Sequence, residues 1–218
     1  MNNLELIFKV LLVIHILAGA IGLITGTLNI ARKKGDKLHR IAGLFFLYGM
    51  LVNGFAGILM TFIHSNLFLL IIGVFSIYMA ATGQRYLFLK GLLKGQKPKS
   101  IDWILSSIML LFGIGFVVYG ILVLFSGNNF GVVLLVFGFI SISMVYQDFK
   151  NYKGKNSIKN FWLLVHIQRM IGSYIAAATA FLVVNNTILP GIVAWLLPTI
   201  ILTPLIFKWS NKYKIVSK

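Results

Sequence analysis

Seven stretches of nearly uninterrupted apolar sequence run along this chain, at about 6–30, 40–63, 67–89, 101–125, 130–149, 160–184 and 188–207. Each comes close to the ~20 residues that an α-helix needs to cross the hydrocarbon of a bilayer. A helix satisfies its backbone N–H and C=O groups internally, which is the condition for life in hydrocarbon. A membrane β-barrel would read as short strands of alternating apolar and polar residues, and that pattern does not occur here. The expectation is an all-α integral membrane protein, a bundle of about seven transmembrane helices forming one polytopic domain over 1–218. Composition agrees. The 218 residues are 59% hydrophobic and 11% charged, against about 45–50% and about 25% in soluble domains. No water-soluble fold of this length could hide so much apolar surface.

The breaks between the runs are short and of two kinds. RKKGDKLHR, KGLLKGQKPKS and KNYKGKNSIK are basic, as is the tail with Lys208, Lys212, Lys214 and Lys218. HSN, SGNN and NNT carry no Lys or Arg, and only Lys9 and Arg169 depart from the alternation. The positive-inside rule then predicts an outside amino terminus and an inside carboxyl terminus. It also accounts for the net charge of +16 without a nucleic-acid partner. A basic cytoplasmic face attracts anionic lipid headgroups. The stretch RYLFLKGLLK at 85–94 is basic and amphipathic. It reads as a loop, an extension of the third span, or a helix lying in the interface. Near the amino terminus, Ala18-Gly19-Ala20 resembles a signal-peptidase site, but the apolar run continues to Ile30 and meets Arg32-Lys33-Lys34. That is a stop-transfer pattern and argues for a retained span.

Small and polar residues recur at heptad spacing and mark the faces expected to look inward. In span one these are His15, Gly19, Gly22, Gly26 and Asn29, and in span two His39, Gly43, Phe46, Met50, Asn53, Gly57, Met60 and His64. Span four aligns Ser106, Met109, Gly113, Phe116 and Gly120, and span six His166, Arg169, Ser173, Ala177 and Ala180. Polar groups then gather toward the cytoplasmic ends of spans two, three, five and six. They are His39 and Arg40, Gln84 and Arg85, Gln147 and Asp148, and His166, Gln168 and Arg169. Ionisable groups at membrane depth are costly and mark function or pairing. Asp148 is the natural partner for Arg169 or Arg85, and snorkelling toward the headgroups is the plain alternative for Arg169.

The blocks HILAGAIGLITG…RKKGDKLHRIAGLFF and HIQRMIGSYIAAATAFLVVN resemble a family of uncharacterised bacterial multi-span membrane proteins that carry a domain of unknown function. The resemblance runs through most of the spans. It implies a multi-pass protein of the inner membrane with His and Arg at these places. It supplies no activity.

Four functions fit the residues. A b-type haem redox protein would use two facing imidazoles, with His39 and His166 as the pair, His15 in reserve, and Arg40, Arg85 or Arg169 for the propionates. A proton-coupled or small-solute transporter would use the same cluster of His, Arg and Asp. A metal-assisted hydrolase would need His39, His166 and Asp148 to converge, yet the chain lacks HxxxH and HExxH spacings and has only four acids. A non-catalytic membrane subunit would need none of this. The absence of cysteine removes disulfides, thiolate metal sites and a cysteine nucleophile. No phosphate loop, dinucleotide fingerprint or nucleophile elbow is present.

Overall fold

A computed structural model describes residues 3–216, apart from the side chain of residue 192. Lys218 of the basic tail lies outside them. Seven α-helices follow one another: α1 Asn3–Ala31, α2 Lys37–Thr61, α3 Leu67–Tyr86, α4 Ser100–Phe125, α5 Phe130–Tyr152, α6 Phe161–Asn185 and α7 Gly191–Tyr213. All seven are long and apolar enough to span a membrane. Much of the apolar sequence points outward, as lipid requires: Leu17 is 60% exposed, Leu111 71% and Phe139 59%.

The helices group into two compact units. The first takes α1, α2, α3 as far as Gln84, and Val165–Tyr213; the second takes Arg85–Leu164 and the tail from Lys214.

In the first unit α1 lies along α2 through the small-residue stripe. A Cβ on Gly19 would meet the Asn53 amide, one on Gly22 would meet Met50, and one on Gly26 would collide with the Tyr174 ring. A side chain at Gly26 would therefore push α6 away from α1. The Tyr174 and Thr27 hydroxyls share a hydrogen bond of 2.6 Å across the same contact. Phe46, Leu47, Met50 and Ala80 form a buried cluster, with Met170, Tyr174 and Ala177 packed against it. α3 is the most enclosed helix, with Ile71, Met79 and Ala80 buried.

The α1–α2 turn is built from local chemistry. Gly35 takes the left-handed conformation, φ 85°, which glycine adopts without a Cβ penalty. Asp36 caps α2 by accepting the His39 N–H at 2.6 Å and pairs with Arg32 at 3.2 Å. Lys34 Nζ donates to the carbonyls of Asn29, Ile30 and Arg32, which closes the C-terminus of α1, and it sits 4.0 Å from the centroid of the Trp209 ring on α7. The apposed ends of α1, α2, α3, α6 and α7 thus form the basic end of this unit.

In the second unit α4 packs on α5 through the stripe read from the sequence: Ser106, Met109, Gly113, Phe116 and Gly120 are all buried. The stretch 85–94 is not a continuation of α3. The helix ends at Tyr86, and the chain turns through a short 3-10 segment, Leu92–Lys94, burying Leu89 and Leu92. Asp102 does two jobs. Its carboxylate accepts the Lys99 N–H at the start of α4 and takes both Nε and Nη2 of Arg85, at 2.7 and 3.0 Å. The carboxylate expected to hold Arg85 was Asp148; Asp102 holds it instead, because the fold-back after Tyr86 carries α4's first turn beneath Arg85.

Candidate functional site at the basic end of the first unit

Three histidines lie within the first unit's helices. His15 donates from Nδ1 to the Asn53 carbonyl at 2.9 Å, and the Asn53 amide returns a bond to the His15 carbonyl at 2.8 Å. His166 donates from Nδ1 to the Gly83 carbonyl at 2.8 Å. A carbonyl oxygen can only accept, so the His166 Nδ1 carries the proton and its Nε2 keeps its lone pair; at His15 the Asn53 amide nitrogen also lies 3.1 Å from Nδ1.

His39 is held the other way. The Asn29 amide turns its nitrogen toward His39, donating to the His39 carbonyl and to Nδ1 at 3.2 Å each, while its oxygen accepts from the Gly43 N–H at 2.9 Å. The reverse orientation would leave the oxygen facing acceptors and the nitrogen facing a donor. Gly43 has room for this amide: a Cβ there would already stand 3.4 Å from it. With Nδ1 accepting, the proton of neutral His39 sits on Nε2. His39 therefore offers a donor where His166 offers an acceptor. The two rings are near enough to interact electrostatically. Neither Nε2 has a hydrogen-bond partner among the described residues.

Depth separates the three. His39 lies two residues into α2 and His166 five residues into α6, so they sit about 3 and about 8 Å from the helix ends. His15 is sixteen residues from the end of α1, about 24 Å away. His39 and His166 lie within about one helical turn of the same level, and His15 stands alone near the middle of its helix. His64, at the opposite end, pairs with Glu5 at 3.1 Å against the edge of Phe8.

Arg169 is 1% exposed. Its Nη1 donates to Thr82 Oγ1 at 2.9 Å, and its guanidinium lies 4.6 Å from the Tyr78 ring centroid. The side chain runs across to α3 at its own level instead of reaching down to the basic end, so snorkelling does not describe it. Gly83 makes this possible, since its Cβ would come 3.0 Å from the Arg169 Cβ. Arg40 is exposed and its Nε donates to the Gly35 carbonyl. Gln84 and Gln168 are partly exposed.

Further along the α3–α6 seam three hydroxyls are buried without a hydrogen-bond partner among the described residues: Ser76, Ser173 and Thr179, at 2, 0 and 9% exposure. Other helical hydroxyls bond back to the preceding turn, as Thr82 does to the Tyr78 carbonyl and Ser141 to that of Phe137, while Ser210 on α7 is likewise buried without a partner among the described residues. A buried hydroxyl left unsatisfied costs about 1–3 kcal/mol.

Outside the spans, two groups show perturbed acidity. The His39 backbone N–H, followed by Arg32, holds the Asp36 carboxyl below the usual aspartate value. Burial pushes the Lys34 ammonium below the usual lysine value.

The second unit has a polar core of its own. Asp148, fully buried, accepts from the Tyr86 hydroxyl at 2.7 Å and from Ser106 at 3.0 Å. Asn151 donates to the Tyr86 oxygen, and Tyr152 donates to the Asp102 carbonyl. Gln147, one residue from Asp148, is partly exposed. Neither Tyr86 nor Tyr152 stands out in the sequence, because a tyrosine at the end of an apolar run reads as an interfacial anchor. Among the described residues no three His, Asp or Glu side chains converge to hold a metal ion.

Comparison of the chain with family models, with curated proteins and with solved structures finds no match in any of the three.

Proposed function

We propose that this chain is a multi-pass protein of the bacterial inner membrane, amino terminus outside and carboxyl terminus inside, that moves protons or a small polar solute through a site formed by His39 and His166. The observation that carries this reading is the opposite tautomeric setting of two neighbouring rings. The Gly83 carbonyl leaves His166 a lone pair at Nε2, and the Asn29 amide leaves His39 an N–H there. A base beside an acid suits proton exchange, and it suits a solute that both donates and accepts. The cations at this end, among them Arg32, Lys33, Lys37 and Arg40, support both the orientation and an association with anionic headgroups.

The test is proton flux into proteoliposomes under an imposed voltage, read with an enclosed pH-sensitive dye. Nitrogen-15 spectra of the imidazoles accompany it. Flux above empty liposomes that is lost in His166→Ala, with one ring protonated at Nδ1 and the other at Nε2, supports the site. Both rings in the same tautomer, or flux indifferent to His166→Ala, overturns it.

A b-type haem redox protein is the second reading. It is favoured by His166, whose Nδ1–H on a carbonyl is the arrangement that ligand histidines use. His15 lies about 16 Å deeper, too far to share an iron. His39 lies at the right level, but as a ligand it would have to move its proton to Nδ1 and turn the Asn29 amide away from Gly43. An absorption spectrum of the purified protein decides this reading. A Soret band with sharp reduced α and β bands, lost in His166→Ala, supports it, and a flat spectrum after haem-supplemented expression removes it.

A further inference from the structure

Three of the four orphan hydroxyls, Ser76, Ser173 and Thr179, lie along one seam, and the fourth, Ser210, is on α7. α3 and α6 run antiparallel, and their register is fixed at two points. Gly83 stands against Arg169, and the Cβ position of Gly172 falls 2.9 Å from Met79 Sδ. Carrying that register on puts Ser76 level with about Ala176, between Ser173 and Thr179. Ser76 is three and seven positions from Met79 and Gly83, so it shares their face of α3. On α6, Ser173 lies four and seven positions from Arg169 and His166, and Thr179 lies seven from Gly172. All three hydroxyls therefore look into the α3–α6 contact that also holds Arg169.

Their axial spacing is regular. From His166 to Arg169, Ser173, the level of Ser76 and Thr179, the steps are three or four residues, about 4.5–6 Å each. One water bridging two oxygens spans about 5.5 Å. A buried polar site with room for it holds ordered water, where an apolar one stays dry.

We propose that a file of bound water occupies the α3–α6 seam from His166 to Thr179, and that protons reach and leave Nε2 of His166 through it. The proposal rests on the reading of His39 and His166 as a proton-exchanging site, and it names the proton as what that site handles. A proton arriving along the file adds to the Nε2 lone pair and makes the imidazolium. The Nδ1–H stays on the Gly83 carbonyl, and the same Nε2 gives the proton back to the file. Nothing is oxidised or reduced. Two charged or titratable groups bear on the ring, His39 from α2 and Arg169 one turn along α6.

The chain has no cysteine, which allows a direct test. Single-cysteine variants Ser76→Cys, Ser173→Cys and Thr179→Cys are transferred into D2O, and the infrared S–H band is followed as it becomes S–D. Ala80→Cys is the control, on the same helix, 0% exposed and packed among Phe46, Leu47 and Met50. The three test thiols are expected to exchange about 100-fold faster than the control, the difference between hydrated and protected sites. Equal exchange at all four overturns the file. Ser173→Ala gives a second reading that does not depend on accommodating sulfur. A hydroxyl with no partner is better removed, so a higher Tm overturns the proposal, whereas a hydroxyl that holds water is missed and Tm falls. The imidazole spectra separate this inference from the reading beneath it. Slow thiol exchange with the tautomer pair intact removes the file alone. Fast exchange without the tautomer pair removes the proton role and the site together.

Discussion

His166 donates its Nδ1 proton to the carbonyl of Gly83, 2.8 Å away on the neighbouring helix. The bond needs α3 and α6 close together, and Gly83 is the residue that lets them close, because a Cβ there would stand 3.0 Å from the Arg169 Cβ. Gly83→Ala is expected to spread the two helices and cost about 1–3 kcal/mol. It should also loosen the tautomer of His166. Thermal melts and nitrogen-15 spectra of the same sample read both effects, and an unchanged imidazole signal would show that the helices absorb the methyl elsewhere.

Asn29 is the corresponding support for His39. Asn29→Leu removes the amide that bridges His39 and Gly43. The expected result is a mixed tautomer at His39 with His166 unaffected. Loss of order at both rings would mean that Asn29 serves the whole bundle.

Arg169→Leu and Asp148→Leu are each expected to be far more damaging than Lys155→Leu. Arg169 loses a bond to Thr82 and its place over Tyr78. A hydrogen bond to a charged group is worth about 1.5–3 kcal/mol. At Asp148 the change removes the acceptor of the Tyr86 and Ser106 hydroxyls, and a hydrogen bond to a charged group is worth about 1.5–3 kcal/mol. Lys155 is exposed and should be tolerated. Expression level and melting in detergent compare the three directly, and equal tolerance would end the view of buried polar cores.

Asp36 gives a pH dependence with a definite sign. Its folded pKa is depressed by the His39 N–H and Arg32. The stability it contributes is present above the unfolded value of about 3.9 and is lost as pH falls through the lower, folded value. Asp36→Ala should therefore melt below wild type at neutral pH, and the two curves should converge once the carboxyl is protonated. A gap that persists in acid would assign the effect to helix geometry instead of charge.

The inward faces of this bundle were legible in the sequence. Gly19, Gly22 and Gly26 meet Asn53, Met50 and Phe46 as the heptad stripes predict, since a helix of fixed pitch leaves only one face for close packing. The seven spans were legible for the same reason. Two things were not. Asp102 looked like a residue at a loop edge, and only the turn after Tyr86 brings it to Arg85. The protons on His39 and His166 were hidden altogether, because their placement depends on a backbone carbonyl and on an amide's orientation, and neither is written in side-chain identity.

The division of the chain into units also sets an order of events during synthesis. The second unit is, apart from the tail, an insert spanning Arg85–Leu164, whereas the first needs Val165–Tyr213 to join the residues before Arg85. Chains are made from the amino terminus, and compact units fold as they emerge. Gly83 thus leaves the ribosome some eighty residues ahead of its partner His166, and α3 is made with Thr82 still lacking its partner Arg169. A ribosome stalled before α6 would release a protein with its later-numbered core already built and its earlier one unfinished.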